Sequence, residues 1–109
     1  MLYIWVDDIR DITNDDKVWN RFKSVNDTIN FIRHRYKEGY TNFYLDLDHD
    51  AGNYVEDGGD YINILTYLET YINMGHMRNL NITCHFHSMN PVGIQNMKAI
   101  CEKNGWKID

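Results

Sequence analysis

Short apolar strands alternate with amphipathic helical segments along this sequence, and that order limits the fold more than any other feature. The strand-like segments are Leu2 to Val6, Asn42 to Leu47, Asn81 to His87 and, more briefly, Trp106 to Ile108. Alternating strands and helices predict a parallel sheet with right-handed crossovers and helices on both faces. Because 109 residues leave room for one hydrophobic core, we expect a single α/β domain over residues 1–109, with three layers and a sheet of about four strands.

Capping residues and apolar spacing mark three helices. Ser24, followed three residues later by Asp27, is typical of a helix N-terminus, and Gly39 closes that helix. The other two helices are expected from Tyr61 to about Met74-Gly75 and from Asn90-Pro91 to Asn104-Gly105.

The N-terminal strand differs from the others because it is apolar throughout. Leu2 to Val6 is typical of a central parallel strand buried on both faces, and not of a signal peptide, since no basic region precedes it and two aspartates end it. The segment from Asp7 to Phe22 has little periodicity, so we expect a polar connection there.

Composition and charge exclude several function classes. With 43% apolar and 14% aromatic residues the chain is typical of folded domains, and no apolar run approaches the roughly 20 residues that span a membrane. A net charge of −5 argues against binding duplex DNA, which requires clustered Lys and Arg. Cys84 and Cys101 lack metal-ligand spacing, so we expect two buried thiols in a reducing, cytoplasmic setting.

Ionisable residues follow all three of the longer predicted strands. The segments are Asp7-Asp8-Ile9-Arg10, Asp48-His49-Asp50-Ala51-Gly52 and His85-Phe86-His87-Ser88-Met89-Asn90. In open α/β sheets, ligands bind outside the carboxyl ends of the strands. The sequence therefore predicts a functional site where these three segments meet.

Carboxylates at this edge predict a metal site. Asp7, Asp8 and Asp48 can form a cup for Mg²⁺ or Mn²⁺, because hard divalent cations prefer oxygen ligands. In the alternative interpretation, one residue of the Asp7-Asp8 pair caps the following turn and the other is solvated. A second metal hypothesis groups His49 with His85 and His87, which lie on one face of an extended strand.

Two histidines are candidates for proton transfer. His49 lies beside carboxylates, which favour its protonated form, and Asp50 or Asp46 can orient its ring. His87, at the end of its strand, is the second candidate. His85 lies deeper in the strand and is as consistent with packing as with chemistry. For the loop around His49, the alternative is a turn in which aspartates bond the local backbone.

The segment from Ser88 to Gly93 predicts a phosphate-binding turn, because it joins a strand to a helix N-terminus, where backbone N–H groups favour an anion. Ser88 can donate to a phosphate oxygen, and Asn90 can help to position it. Arg10 can bind a phosphate through two N–H groups. The alternative for Arg10 is a salt bridge to one of three aspartates, Asp7, Asp11 or Asp15.

These motifs resemble a known family. Asp7-Asp8-Ile9-Arg10, Leu47-Asp48-His49-Asp50-Ala51-Gly52 and His87-Ser88-Met89-Asn90-Pro91-Val92-Gly93, followed by Asn96-Met97, resemble the cyclic-phosphate processing receiver-like domains. These are small bacterial and phage relatives of the response-regulator receiver fold, which is flavodoxin-like. The resemblance covers nearly the whole chain in motif order and spacing.

The resemblance implies an activity and a set of site residues. It implies the processing of a cyclic phosphate on a small nucleotide or on an RNA end with a 2′,3′-cyclic phosphate. The residues that carry over are Asp7, Asp8, Asp48, His49, Asp50, His87, Ser88 and Asn90. With the residue-level assignments, this gives a phosphodiesterase hypothesis in which His49, His87 and Asp50 are catalytic, Arg10, Ser88 and Asn90 bind substrate, and Asp7, Asp8 and Asp48 hold the metal.

Two other functions remain open at this point. The first is a non-catalytic binder of a cyclic nucleotide, such as a sponge or a sensor. The second is a degenerate receiver that serves as an interaction module, with Asp48 in the position of the receiver's phosphate acceptor. Against the second, the receiver's Lys-Pro element appears here as Asn90-Pro91, and His49 and His87 are not receiver features.

Overall fold

In the computed structural model, which describes residues 1–12 and 16–109, five parallel strands form one sheet in the order β2-β1-β3-β4-β5. The strands are β1 (Leu2–Val6), β2 (Trp19–Phe22), β3 (Asn42–Leu47), β4 (Asn81–Phe86) and β5 (Lys107–Ile108), and the helices are α1 (Val25–Lys37), α2 (Ile62–Asn73) and α3 (Pro91–Asn104). A 3₁₀ turn over Gly52–Tyr54 interrupts the loop between β3 and α2. The predicted receiver-like α/β fold is therefore confirmed.

The sheet has five strands, and the prediction of about four missed β2. Residues Trp19–Phe22 pair in parallel with β1, with Tyr3 opposite Trp19 and Val6 opposite Phe22. The prediction of a polar connection from Asp7 to Phe22 is wrong for these four residues. An edge strand of four residues gives almost no periodic pattern of apolar residues, because only two of its side chains point to the core face of the sheet.

The core lies on one face of the sheet only. Apolar residues from alternate positions of β1, β3 and β4 pack against stripes of α1, α2 and α3; the fully buried strand residues are Ile4, Val6, Phe43, Leu45, Leu47 and Cys84. The predicted thiols Cys84 and Cys101 are both buried. The strand order explains the one-sided core. The connections through α1, α2 and α3 all advance in one direction along the sheet, so right-handed crossovers place all three helices on the same face.

The opposite face differs from the sequence-based expectation of three layers. Among the described residues, the connection from β1 to β2 contains no helix, and it is the one connection that runs the other way along the sheet. Tyr3 and Trp5 are therefore half-buried, and β1 is not buried on both faces as predicted. We call this side the open face.

Helix boundaries agree with the predicted caps. The Ser24 hydroxyl accepts a hydrogen bond from the N–H of Asp27, and the Asn90 side chain accepts one from the N–H of Gly93. Gly105 ends α3 at φ 69°, a left-handed conformation that glycine adopts without steric cost. No described helix is long and apolar enough to cross a membrane.

Candidate active site

The site lies at the carboxyl edge of the sheet, where the strand ladders continue beyond β1, β3 and β4. The N–H of Asp48 donates to the carbonyl of Val6 at 3.0 Å, and the N–H of His87 donates to the carbonyl of Leu47 at 3.1 Å. Because side chains alternate along a strand, Asp7, Asp48 and His87 all point to the open face. The predicted convergence of three polar strand ends is present in the structure.

His87 is held between two carboxylates. Its Nδ1 lies 2.7 Å from Asp46 Oδ1, and its Nε2 lies 2.9 Å from Asp7 Oδ2. Its ring stacks on the Trp5 indole, with centroids 3.9 Å apart and planes 2° from parallel. An imidazole that faces a carboxylate at each nitrogen donates at both only when it is protonated. Burial acts to lower the pKa of His87, but the two carboxylates outweigh it and raise the pKa above its ordinary value.

Asp7 is the most deeply buried acid of the site, with a side chain only 1% exposed. One carboxylate oxygen accepts hydrogen bonds from the N–H groups of Ile9 and Arg10, at 2.9 and 2.8 Å. Burial acts to raise the pKa of Asp7, but these bonds and the bond from His87 outweigh it and lower the pKa below its ordinary value. Asp7 therefore caps the following turn, as the alternative interpretation predicted, and also faces His87.

Arg10 joins the acidic residues to one another. Its Nε donates to Asp7 Oδ2 at 3.2 Å, and its Nη2 lies 3.4 Å from Asp48 Oδ2 and donates to the carbonyl of His87 at 3.2 Å. The predicted salt bridge to Asp7 is present. Asp11 pairs instead with Arg21, and Asp15 lies outside the described residues. The Arg10 side chain is 46% exposed, so its guanidinium remains accessible from solvent.

Asp46 is a site residue that the sequence analysis did not place at His87. It lies opposite Trp5 on β1 and His85 on β4. Its Oδ1 lies 3.0 Å from His85 Nδ1 as well as 2.7 Å from His87 Nδ1. Of the two acids predicted as able to orient the His49 ring, Asp50 contacts it, whereas Asp46 contacts His85 and His87. We call Asp7, Asp46, Asp48 and His87 the open-face group.

His49 belongs to a second group on the helix side of the same edge. Its Nδ1 lies 2.7 Å from Asp50 Oδ1 and 3.4 Å from the amide nitrogen of Asn90. Its ring lies against Gly93 in α3, where an added Cβ would be 2.4 Å from His49 Cδ2. Glycine at this position is what lets the ring approach the helix. Asp60 completes this helix-side group, which we define as His49, Asp50, Asp60 and Asn90.

Asp8 lies beside two acids, its chain neighbour Asp7 and Asp48, which follows the adjacent strand β3. Burial, followed by the negative charges of Asp7 and Asp48, raises its pKa above the ordinary value. A Cβ on Gly52 would be 2.2 Å from Asp8 Oδ2, and Gly52 has φ +55°. A glycine is required there because any side chain would displace the carboxylate and would also strain the turn.

The predicted phosphate-binding turn has its polar side chains engaged in local bonds. Ser88 Oγ accepts from the N–H of Asn90 at 3.0 Å, and Asn90 Oδ1 accepts from the N–H of Gly93 at 2.9 Å. Both side chains therefore shape the N-terminus of α3. The turn leads from His87, in the open-face group, to Asn90, in the helix-side group.

Two sets of described residues can hold a metal ion. One ligand atom each from Asp7, Asp48 and His87 lie within 4.8 Å of one another, and so do atoms of His49, Asp50 and Asp60. Neither set is the three-histidine group of the second metal hypothesis, since His49 belongs to one set and His87 to the other. Asp8, the third predicted metal ligand, belongs to neither of these two sets, although it lies beside Asp7 and Asp48. The oxygen donors fit a hard divalent cation.

The strand order and the acidic carboxyl edge define a receiver-like α/β domain, with its site beside the switch point between β1 and β3. A family model described as the cyclic-phosphate processing receiver domain matches residues 2–103, and the chain belongs to that family. Comparison with curated proteins and with solved structures gave no match.

Proposed function

We propose that this protein hydrolyses a phosphodiester bond of a cyclic phosphate on a nucleotide or an RNA end. The observation that carries the proposal is the position of His87. Its imidazole is held between Asp46 and Asp7, next to the half-exposed guanidinium of Arg10. A proton donor and a phosphate-binding cation thus lie side by side, as opening a cyclic phosphate requires.

The proposed reaction breaks one ribose oxygen–phosphorus bond and leaves a monoester. Water attacks phosphorus, and the ribose oxygen that leaves takes the place of Asp7 at His87 Nε2 and receives the proton of that nitrogen, while Asp46 keeps its bond to Nδ1. His49, oriented by Asp50, takes a proton from the attacking water. Asp46 and Asp7 favour the protonated form of His87 before the reaction, which matches the role of an acid at neutral pH.

Phosphate binding falls to Arg10 and to the turn before α3. The guanidinium can rotate from Asp48 toward a phosphate and donate two parallel hydrogen bonds. Ser88 and Asn90 hold the start of α3, where the helix dipole and backbone N–H groups attract an anion.

Asp7 and Asp48, whose carboxylate oxygens lie close enough to share an ion, are the proposed ligands of Mg²⁺ or Mn²⁺, and Asp8 adds negative charge beside them. A divalent cation bound there would neutralise negative charge on the phosphate and polarise it. Arg10 now bridges Asp7 and Asp48, so these residues bind a cation only when the guanidinium moves away.

Phosphorus NMR tests the activity directly. The protein is incubated with 2′,3′-cyclic, 3′,5′-cyclic and cyclic oligonucleotide phosphates, with and without Mg²⁺ or Mn²⁺. The proposal predicts a new monoester resonance from at least one substrate. A His87→Gln preparation, purified in the same way, controls for contaminating phosphodiesterases.

Other outcomes refute hydrolysis and select a different function. A resonance that shifts or broadens without conversion supports a non-catalytic binder. Unchanged spectra, with beryllofluoride docking at Asp48, support a receiver-like interaction module.

A further inference from the structure

The open face carries an uninterrupted cluster of aromatic side chains. Tyr3, Trp5, Trp19 and Tyr44 lie side by side, with centroids of neighbouring rings 5.5 to 6.1 Å apart. They are half-buried, although no described helix covers them, and none packs against the main core. Large aromatic residues gathered on an uncovered surface are typical of a binding site.

A groove of about 500 Å³ runs over this cluster. Its walls include Tyr3, Trp19 and Tyr44, and at one end Asp46 and His85. Its size is within the usual range of small-molecule sites, about 300–1,000 Å³. Asp46, at this end of the groove, also contacts His87, so the groove ends beside the open-face group.

The register of the sheet fixes how far the groove extends from the reacting groups. Trp19, Tyr3, Tyr44 and Thr83 form one row across four strands, and Asp7, Asp48 and His87 form another row four residues further along. At about 3.3 Å per residue, the rows are about 13 Å apart. That distance exceeds the reach of the base attached to the cyclic phosphate itself, but the preceding nucleotide can span it.

The charged residues along the groove favour the binding of uncharged base rings over the binding of a long, negatively charged phosphate backbone. Asp46 and Asp109 line it together with Lys17, whose ammonium lies 5.5 Å from the centroid of the Tyr3 ring. Thr83 and His85 add groups that can hydrogen-bond the edge of a base. Aromatic side chains on a sheet that stack unpaired bases are a common mode of single-stranded RNA recognition.

We infer that the aromatic cluster of the open face binds the bases that precede the cyclic phosphate of a single-stranded RNA end. This inference rests on the proposed function and makes it more specific, because it selects an RNA end over a mononucleotide. The overall charge of −5 is consistent with contact to only a few nucleotides.

Binding is tested with an RNA that the protein cannot turn over. A fluorescent single-stranded tetranucleotide with a 3′-phosphate is titrated with protein, and the mononucleotide 3′-phosphate and an RNA duplex compete with it. We expect the tetranucleotide to bind at least tenfold more tightly than either competitor. Trp19→Leu and Tyr3→Leu keep apolar bulk but remove the ring, and each should weaken tetranucleotide binding about tenfold.

Two controls locate the effect on the open face. Tyr67→Leu removes an exposed tyrosine from α2, on the opposite side of the sheet, and should leave the affinity unchanged. RNA bound at the open face should also quench the fluorescence of the tryptophans there. Trp106 packs against the core on the helix side, so the Trp106→Phe variant should still show this quenching.

The results separate this inference from the proposed function. Equal affinity for the mononucleotide and the tetranucleotide, or wild-type affinity in folded Trp19→Leu and Tyr3→Leu variants, would overturn the aromatic site while leaving hydrolysis intact. Tight, ring-dependent binding without hydrolysis of the 2′,3′-cyclic form would support the aromatic site and refute the phosphodiesterase.

Discussion

The open-face and helix-side groups use the same residue types but place them in different surroundings. In the open-face group, His87 is 12% exposed and contacts two carboxylates that are 1% and 12% exposed. In the helix-side group, His49 is similarly buried, but its carboxylate partner Asp50 is 66% exposed. Charges interact more strongly where water is excluded, so the two buried carboxylates act strongly on the protonation of His87.

The comparison shows that the neighbours of a histidine matter more than its position at a strand end. Both histidines follow parallel strands, and both lie beside an aspartate in space. Only His87 has a carboxylate at each ring nitrogen and an aromatic ring stacked against it. We therefore expect the open-face group to dominate the chemistry and the helix-side group to contribute less.

The largest expected effect comes from removing one histidine at a time. His87→Gln should lower the rate of cyclic-phosphate hydrolysis by about 10²–10⁴-fold, the usual contribution of a positioned acid. His49→Gln should cause a smaller loss, since water can replace part of the function of a group paired with an exposed carboxylate. Rates are measured by phosphorus NMR, with His34→Gln, an exposed histidine of α1, as the matched control. An equal or larger loss for His49→Gln would reverse the ranking.

Asp46→Asn should have an intermediate effect that depends on pH. Without this carboxylate the pKa of His87 falls. At pH values above the pKa, each unit of that fall lowers the protonated fraction of His87 about tenfold. Since His87 is proposed to act as an acid, the alkaline limb of the rate profile should move to lower pH. The measurement is the pH dependence of hydrolysis in both proteins. A uniform loss at every pH would show that Asp46 only maintains the fold.

Gly93→Ala should have the smallest effect, and this effect should be mainly on the stability of the protein. Alanine normally stabilises a helix by about 0.5–1 kcal/mol relative to glycine, but here its Cβ would meet the His49 ring. We expect a net loss of about 1–3 kcal/mol in the free energy of unfolding, measured by urea denaturation. Val92→Ala, exposed on the same turn, should change it by less than about 0.5 kcal/mol. A more stable Gly93→Ala variant would mean that His49 does not pack against α3.

The parts of the fold with a strong periodic signal could be predicted from the sequence. β1, β3, β4 and the three helices follow from apolar spacing and caps such as Ser24 and Asn90. β2 could not be predicted, because Trp19–Phe22 is a short edge strand with one polar and one charged residue at its centre. Missing β2 also hid the strand order, and the strand order places all three helices on one face.

The location of the site could be predicted from the sequence, but the contacts between its residues could be predicted only in part. Strand ends identified Asp7, Asp48 and His87, but the partner of His87 required the register that sets Asp46 opposite His85. A signal for Asp46 did exist, because a carboxylate within the apolar run Asn42 to Leu47 needs a polar partner. Trp5 gave no such signal, since an aromatic residue in an apolar strand is usually part of the core.

A histidine titration by NMR tests the central claim most directly, that two carboxylates hold His87 in its protonated form. Imidazole resonances are followed against pH in chelator-treated protein, and His87→Gln assigns the signal. The account predicts that His87 titrates above its ordinary pKa of 6.5. When folding raises the pKa of a histidine, its protonation stabilises the folded protein, and this stabilisation is complete at pH values below the pKa of the unfolded state. The free energy of unfolding should therefore also fall as the pH rises through the pKa of the folded state. A pKa of His87 at or below 6.5 would contradict the account.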